Sequence, residues 1–328
     1  MTNSTDPSFL QRPDLSDDLP PVQPPSAGFI MQLFVVPGLI VLAVVVVWAA
    51  FGRIAASDED WHGLVEELQS LNGHRRVRAM HGLADVLVRD GRRGEQGQNL
   101  AANPEIAKAL SEQLSRELKS GSTSNESLAI QEFLARAVGL LDAPETSMLP
   151  LRMALEPTRD IEIRKSGALS IAMIAGRAFE KGTPLEDPDT VNALVETSTD
   201  TLPVMRQTAA YALAFFKSER ADQQLHVLLA NSDRATGVNA AIALTRHGNT
   251  DGLAVFKQAL TAKPPEKAED QFEHFNILTN TLKAIAKLSS KMSEADREEF
   301  REILQSLVNN HREVRIRIDA QNALQSLK

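Results

Sequence analysis

Apolar and polar residues follow two different rhythms along this chain. Between Phe29 and Phe51 they hardly alternate: 23 residues carry no charge, and only Gln32, Pro37 and Gly38 interrupt the apolar run. At about 1.5 Å of rise per residue such a helix reaches ~34 Å, against a bilayer hydrocarbon core of roughly 30 Å. The pattern predicts one transmembrane helix over residues 29–51. A cleaved secretory leader would start with a basic region and hold a shorter apolar core. Here the preceding segment carries Asp6, Asp14, Asp17 and Asp18 against a single Arg12.

Residues 1–28 contain six of the sixteen prolines and no apolar periodicity, which predicts a disordered, Pro-rich acidic tail. Residues 52–57 form a short juxtamembrane linker. Arg53 lies closer to the span than Arg12 does, and Arg75, Arg76 and Arg78 follow on the same side. The excess of cations on cytoplasmic flanks therefore predicts a single-pass membrane protein with an external tail and a cytoplasmic body over 58–328.

From residue 58 onward the apolar period is helical. Trp61, Leu64, Val65, Leu68 and Leu71 are spaced to make one stripe of an amphipathic helix, with Ser57 as its N-cap and Asp58 and Glu59 in the first turn. Breakers recur along it, at Gly91–Gly97, Ser120–Asn125, Ala143-Pro144, Lys181–Asp189, Gly248, Pro264-Pro265 and Ser289-Ser290. No alternating run is long enough for a strand. The body is predicted to hold about fourteen helices joined by short loops.

A repeat is superposed on this pattern. Ile163-Arg164 is followed by Gly167, Ala168 and Ile171; Met205-Arg206 by Ala209, Ala210 and Leu213; Ile316-Arg317 by Ala320 and Leu324. Gly237 stands in the arginine place before Ala240, Ala241 and Leu244, and Val77-Arg78 with Gly82 fits more loosely. Anchors 164, 206, 237 and 317 are 42, 31 and 80 residues apart, the last being two periods of 40. Residues three, four and seven after the anchor share a helix face, where small side chains let a neighbouring helix approach closely. The arginine can meet an acid of its own turn, such as Asp160, or one in the next repeat.

These second-helix motifs resemble HEAT-type (armadillo-like) helical repeats. The resemblance implies an all-α fold: a right-handed α-solenoid of about seven helix pairs over 58–328, preceded by the one transmembrane helix. It also implies structural roles for Arg78, Arg164, Arg206 and Arg317, and use as a binding scaffold.

Composition narrows the chemistry. No cysteine is present, which excludes disulfides, thiolate metal sites and thiol nucleophiles. A net charge of −8 argues against a nucleic-acid partner. The seven histidines form no ligand-spaced pair, Asp58–Gly63 lacks the closing glutamate of a calcium loop, and Lys181-Gly182 inverts the order of a phosphate loop. No catalytic, metal or cofactor site is predicted, and the chain is expected not to be an enzyme. One local excess remains: Arg75, Arg76, Arg89, Arg92 and Arg93, a candidate patch for anions or for anionic lipid headgroups near the bilayer. The sequence thus predicts a membrane-anchored protein–protein interaction scaffold whose partners are another protein and, through residues 29–51, the lipid bilayer. The alternatives are a structural subunit of a membrane complex and a HEAT-like lyase or chromophore accessory factor, the latter poorly matched by one Tyr and two Trp.

Overall fold

The computed structural model describes residues 60–327, together with residues 28, 39 and 41–47. The chain divides into two compact units, 1–59 and 60–328. Nearly all of the predicted tail, the linker and most of the predicted span lie outside the described residues. Residues 41–47 are helical, and their valines and leucine stand between 51% and 62% exposed. Among the described residues no helix is long and apolar enough to cross a membrane.

The second unit is all-helical, with no strand among the described residues. Its helices are α1 (Trp61–Leu68), α2 (Gly73–Arg93), α3 (Pro104–Lys119), α4 (Asn125–Val138), α5 (Pro144–Ala154), α6 (Ile161–Glu180) and α7 (Pro188–Thr197). They continue with α8 (Pro203–Leu213), α9 (Glu219–Leu229), α10 (Arg234–Arg246), α11 (Leu253–Thr261), α12 (Ala268–Leu288), α13 (Glu294–Asn310) and α14 (Val314–Ser326). Consecutive helices form seven pairs, as the breaker spacing predicts. Even-numbered helices pack on one another from α2 through α14. The odd layer is continuous from α1 to α9 and again from α11 to α13.

Local sequence sets each start. Asn72, Asn103, Ser124, Asp160, Asp187, Ser218, Asp233 and Ser293 accept N–H bonds from the first turns of their helices, and proline occupies the first turn of α3, α5, α7 and α8. The predicted cap at Ser57 is corrected. Helix α1 begins at Trp61 because Asp60 accepts the Gly63 N–H at 3.3 Å, and Ser57 lies outside the described residues. Leu71, predicted to extend the α1 stripe, falls in the turn beyond Leu68 and is fully exposed.

Small residues govern the even layer, as their offsets require. A Cβ on Gly139 would sit 2.4 Å from the Ser170 hydroxyl, and one on Gly167 would sit 2.9 Å from the Ala154 methyl. Ser170 in turn donates to the Ala135 carbonyl at 2.7 Å, joining α4 to α6. The apolar interior forms two principal clusters. One runs from Leu68 to Leu244 and the other from Ala241 to Leu327, so they meet in α10.

Candidate functional site

The repeat arginines share one position, the fourth residue of an even-numbered helix. Arg206 Nη1 donates to the carbonyls of Asp200 and Thr201, both at 2.9 Å; Arg317 Nη1 donates to those of His311 and Arg312 at 2.8 and 3.2 Å. In the first pair this place belongs to Arg76, which reaches Ser70 O at 2.9 Å and Leu71 O at 3.1 Å. Arg78, grouped with the repeat arginines from the sequence, lies half a turn further on and meets an acid, Glu67 of α1, lowering that carboxyl through the Arg78 hydrogen bond. The helix start at the Asn72 cap, not the apolar–Arg dipeptide, decides which arginine closes the turn.

Arg164 occupies the same place in α6 but extends to the next repeat. Its Nε donates to Leu155 O at 3.3 Å and its Nη2 to the Asp200 carboxylate. Asp160 is instead the helix cap, accepting the Glu162 N–H at 2.8 Å. Asp200 is therefore a hub, with Arg164 on its carboxylate and Arg206 on its carbonyl. Burial would raise the Asp200 carboxyl, but the Leu202 N–H and the Arg164 guanidinium hold it below the ordinary carboxylate range.

The predicted cationic patch does not form one cluster. Arg75 and Arg76 lie at the start of α2 and Arg89, Arg92 and Arg93 at its end, ~20 Å apart at the helical rise. Arg76 is engaged as above, and Arg89 pairs with Asp85 at 3.1 Å.

Two histidines tie neighbouring repeats. His226 offers Nδ1 to the Asp222 carbonyl at 2.7 Å and Nε2 to the Asp251 carboxylate at 2.8 Å, and these two acceptors raise its pKa, Asp251 contributing most. His247 places Nδ1 2.7 Å from the Asp222 carboxylate and Nε2 3.1 Å from Ala214 O. His274 behaves oppositely: burial lowers it, and the Arg234 guanidinium 2.8 Å from Nδ1 adds to the effect. Among the described residues no group of three or more His, Asp or Glu could hold a metal ion.

A groove of about 220 Å³ opens over α8, α10 and α12, where the two apolar clusters meet. Tyr211 and Ile242 occupy equivalent places five residues after the repeat anchor, so register alone aligns them with the exposed Leu169 of α6. One turn on, Arg246 lies over the Phe215 ring at 4.7 Å, and Tyr211 meets that ring edge-on at 5.3 Å. Lys283 and Lys287 complete the lining. Sequence reasoning missed this cluster because its members come from three different helices, α8, α10 and α12. The available signal was the absence of any Asp or Glu from α8 and α10 and from residues 274–288 of α12, in a chain of net charge −8.

No protein-family model matches the sequence, and no curated protein matches it. Among solved structures the chain is similar to the complex of CpcE and CpcF of phycocyanin lyase from Nostoc sp. PCC7120, with 16% identity, 82% of this chain and 95% of that one covered, and a TM-score of 0.45. It is similar also to the designed armadillo repeat protein YIII(Dq)4CqI, with 16% identity, 81% and 99% covered, and a TM-score of 0.37. For human deoxyhypusine hydroxylase in complex with glycerol the values are 15%, 85% and 99%, and 0.32. At these scores the likenesses carry no argument about activity or partner. The helical-repeat architecture stands on the pairing and layering of the helices themselves.

Proposed function

We propose that this chain is a membrane-anchored, non-enzymatic scaffold that binds a partner protein along the exposed face of its even-numbered helices. One observation carries the reading: large apolar side chains stand exposed on four of the even-numbered helices, Leu169 and Met173 on α6, Val204 and Tyr211 on α8, Phe272 on α12, and Val314 and Ile318 on α14. The odd layer shows fewer, with Leu149 on α5 and Val227 on α9. Contiguous exposed apolar surface marks interaction sites, and a repeat stack spreads recognition over many units because each unit contacts only its neighbours. The uncharged run over 29–51 supplies the anchor, and Arg53 with Arg75, Arg76 and Arg78 orients the body to the cytoplasm.

Carbonate extraction and protease shaving of spheroplasts test the anchoring half. The chain should stay in the carbonate pellet, Val44→Lys/Val46→Lys should release it, and the body should resist external protease. Recovery of the unaltered chain in the carbonate supernatant, or digestion of the body from outside, contradicts the reading.

A further inference from the structure

The groove over α8, α10 and α12 has a composition that selects its occupant. Its lining combines the apolar Tyr211 ring, Ile242 and Ala284 with the cations Arg246, Lys283 and Lys287 and the neutral Asn239, Thr245 and Asn280. Among the described residues no carboxylate pairs with these three cations. Arg246 is the best defined, since its guanidinium carbon lies 4.7 Å from the Phe215 ring centroid while Nε is buried without a hydrogen-bond partner. A guanidinium placed over an aromatic ring still offers its remaining donors as a planar fork that matches a carboxylate. The volume is below the roughly 300–1,000 Å³ of small-molecule pockets, and suits one large apolar side chain. Nothing acidic on the facing helices competes: α8 and α10 carry no Asp or Glu, and those of α12 are confined to Glu269, Asp270 and Glu273 near its start.

We infer that this groove docks an acidic linear segment of a partner protein, with one apolar side chain seated against Tyr211 and Ile242 and flanking carboxylates facing Arg246, Lys283 and Lys287. The inference rests on the scaffold reading and gives it a place and a chemistry. Complementary charge would speed encounter, and salt would weaken the contact.

The test uses the full chain in nanodiscs of zwitterionic lipid and a fluorescein-labelled peptide alternating glutamate with leucine, read by anisotropy. Lys283→Gln/Lys287→Gln, both exposed positions, should raise Kd roughly tenfold, as should Arg246→Gln with an unchanged circular dichroism spectrum. Ile242→Ser should weaken the peptide but not a polyglutamate control. Lys263→Gln/Lys291→Gln removes the same charge from exposed sites elsewhere and should leave Kd unchanged. Equal weakening by both lysine pairs overturns the inference, as does tighter binding of a labelled oligouridylate, which would make the occupant a nucleic acid. Crosslinking of a membrane partner at Tyr211 that survives Lys283→Gln/Lys287→Gln also overturns it, yet leaves the scaffold reading standing. Loss of crosslinking at every even-helix position removes both.

Discussion

Replacing Asp200 by alanine probes the tie between the third and fourth helix pairs. The Arg164 and Asp200 side chains are 7% and 12% exposed, and the carboxylate also accepts the Leu202 N–H at 2.8 Å. Removing one partner of a buried pair costs roughly 3–5 kcal/mol, because the remaining charge has no acceptor and little water. Asp200 keeps a strip open to solvent through which water can reach the orphaned guanidinium. The expected loss for Asp200→Ala is therefore about 3 kcal/mol, the low end of that range. This corresponds to more than a hundredfold in the unfolding equilibrium. Urea titration of the detergent-solubilised chain, followed by circular dichroism, should show a lower midpoint. Arg164→Met/Asp200→Ala should be less destabilised than the sum of its single variants, because the apolar side chain leaves no buried charge. The sign with pH follows from the depressed Asp200 carboxyl: its stabilisation is complete above the unfolded value near 3.8 and is lost as pH falls through the lower, folded value. Single variants that each cost less than about 1 kcal/mol, or strict additivity in the double variant, would refute the reasoning.

Other consequences are equally direct. Arg206→Ala should cost about 1.5–3 kcal/mol by freeing the Asp200 and Thr201 carbonyls, and Arg206→Lys should recover only part of it, because a point charge does not span both; urea midpoints check this. The raised pKa of His226 makes its contribution complete below about pH 6.5, and it fades as pH rises through the folded value. His226→Gln should flatten thermal stability over that window, as read by scanning fluorimetry at stepped pH. Gly139→Ala should destabilise by about 1–3 kcal/mol through overpacking against Ser170, read in the same titration.

Helix number, pairing and the small-residue faces were legible in the sequence because each depends on spacing within one helix. Gly167 and Ala168 lie at fixed offsets from Arg164, and that face packs as its composition requires. Arg78 meets an acid, Glu67 of α1, as the motif suggested, but the bond that closes the preceding turn falls to Arg76, because it depends on distance from the helix start, and so on the Asn72 side chain, which a dipeptide does not show. The partner of Arg164 was legible only as a choice, since Asp160 and Asp200 are both acids in reach of the motif and tertiary packing selects the second. The groove was illegible for a different reason. Tyr211, Arg246 and Lys283 converge only when α8, α10 and α12 stack, and no local rule joins residues that far apart.

Site-specific photocrosslinking in intact membranes tests the central claim most directly. A benzophenone residue is placed in turn at Ile242, in the groove, and at Val227, which is 66% exposed on the odd layer. The account predicts one discrete protein adduct from position 242 and none from 227. A discrete adduct from 227 with none from 242 would contradict it.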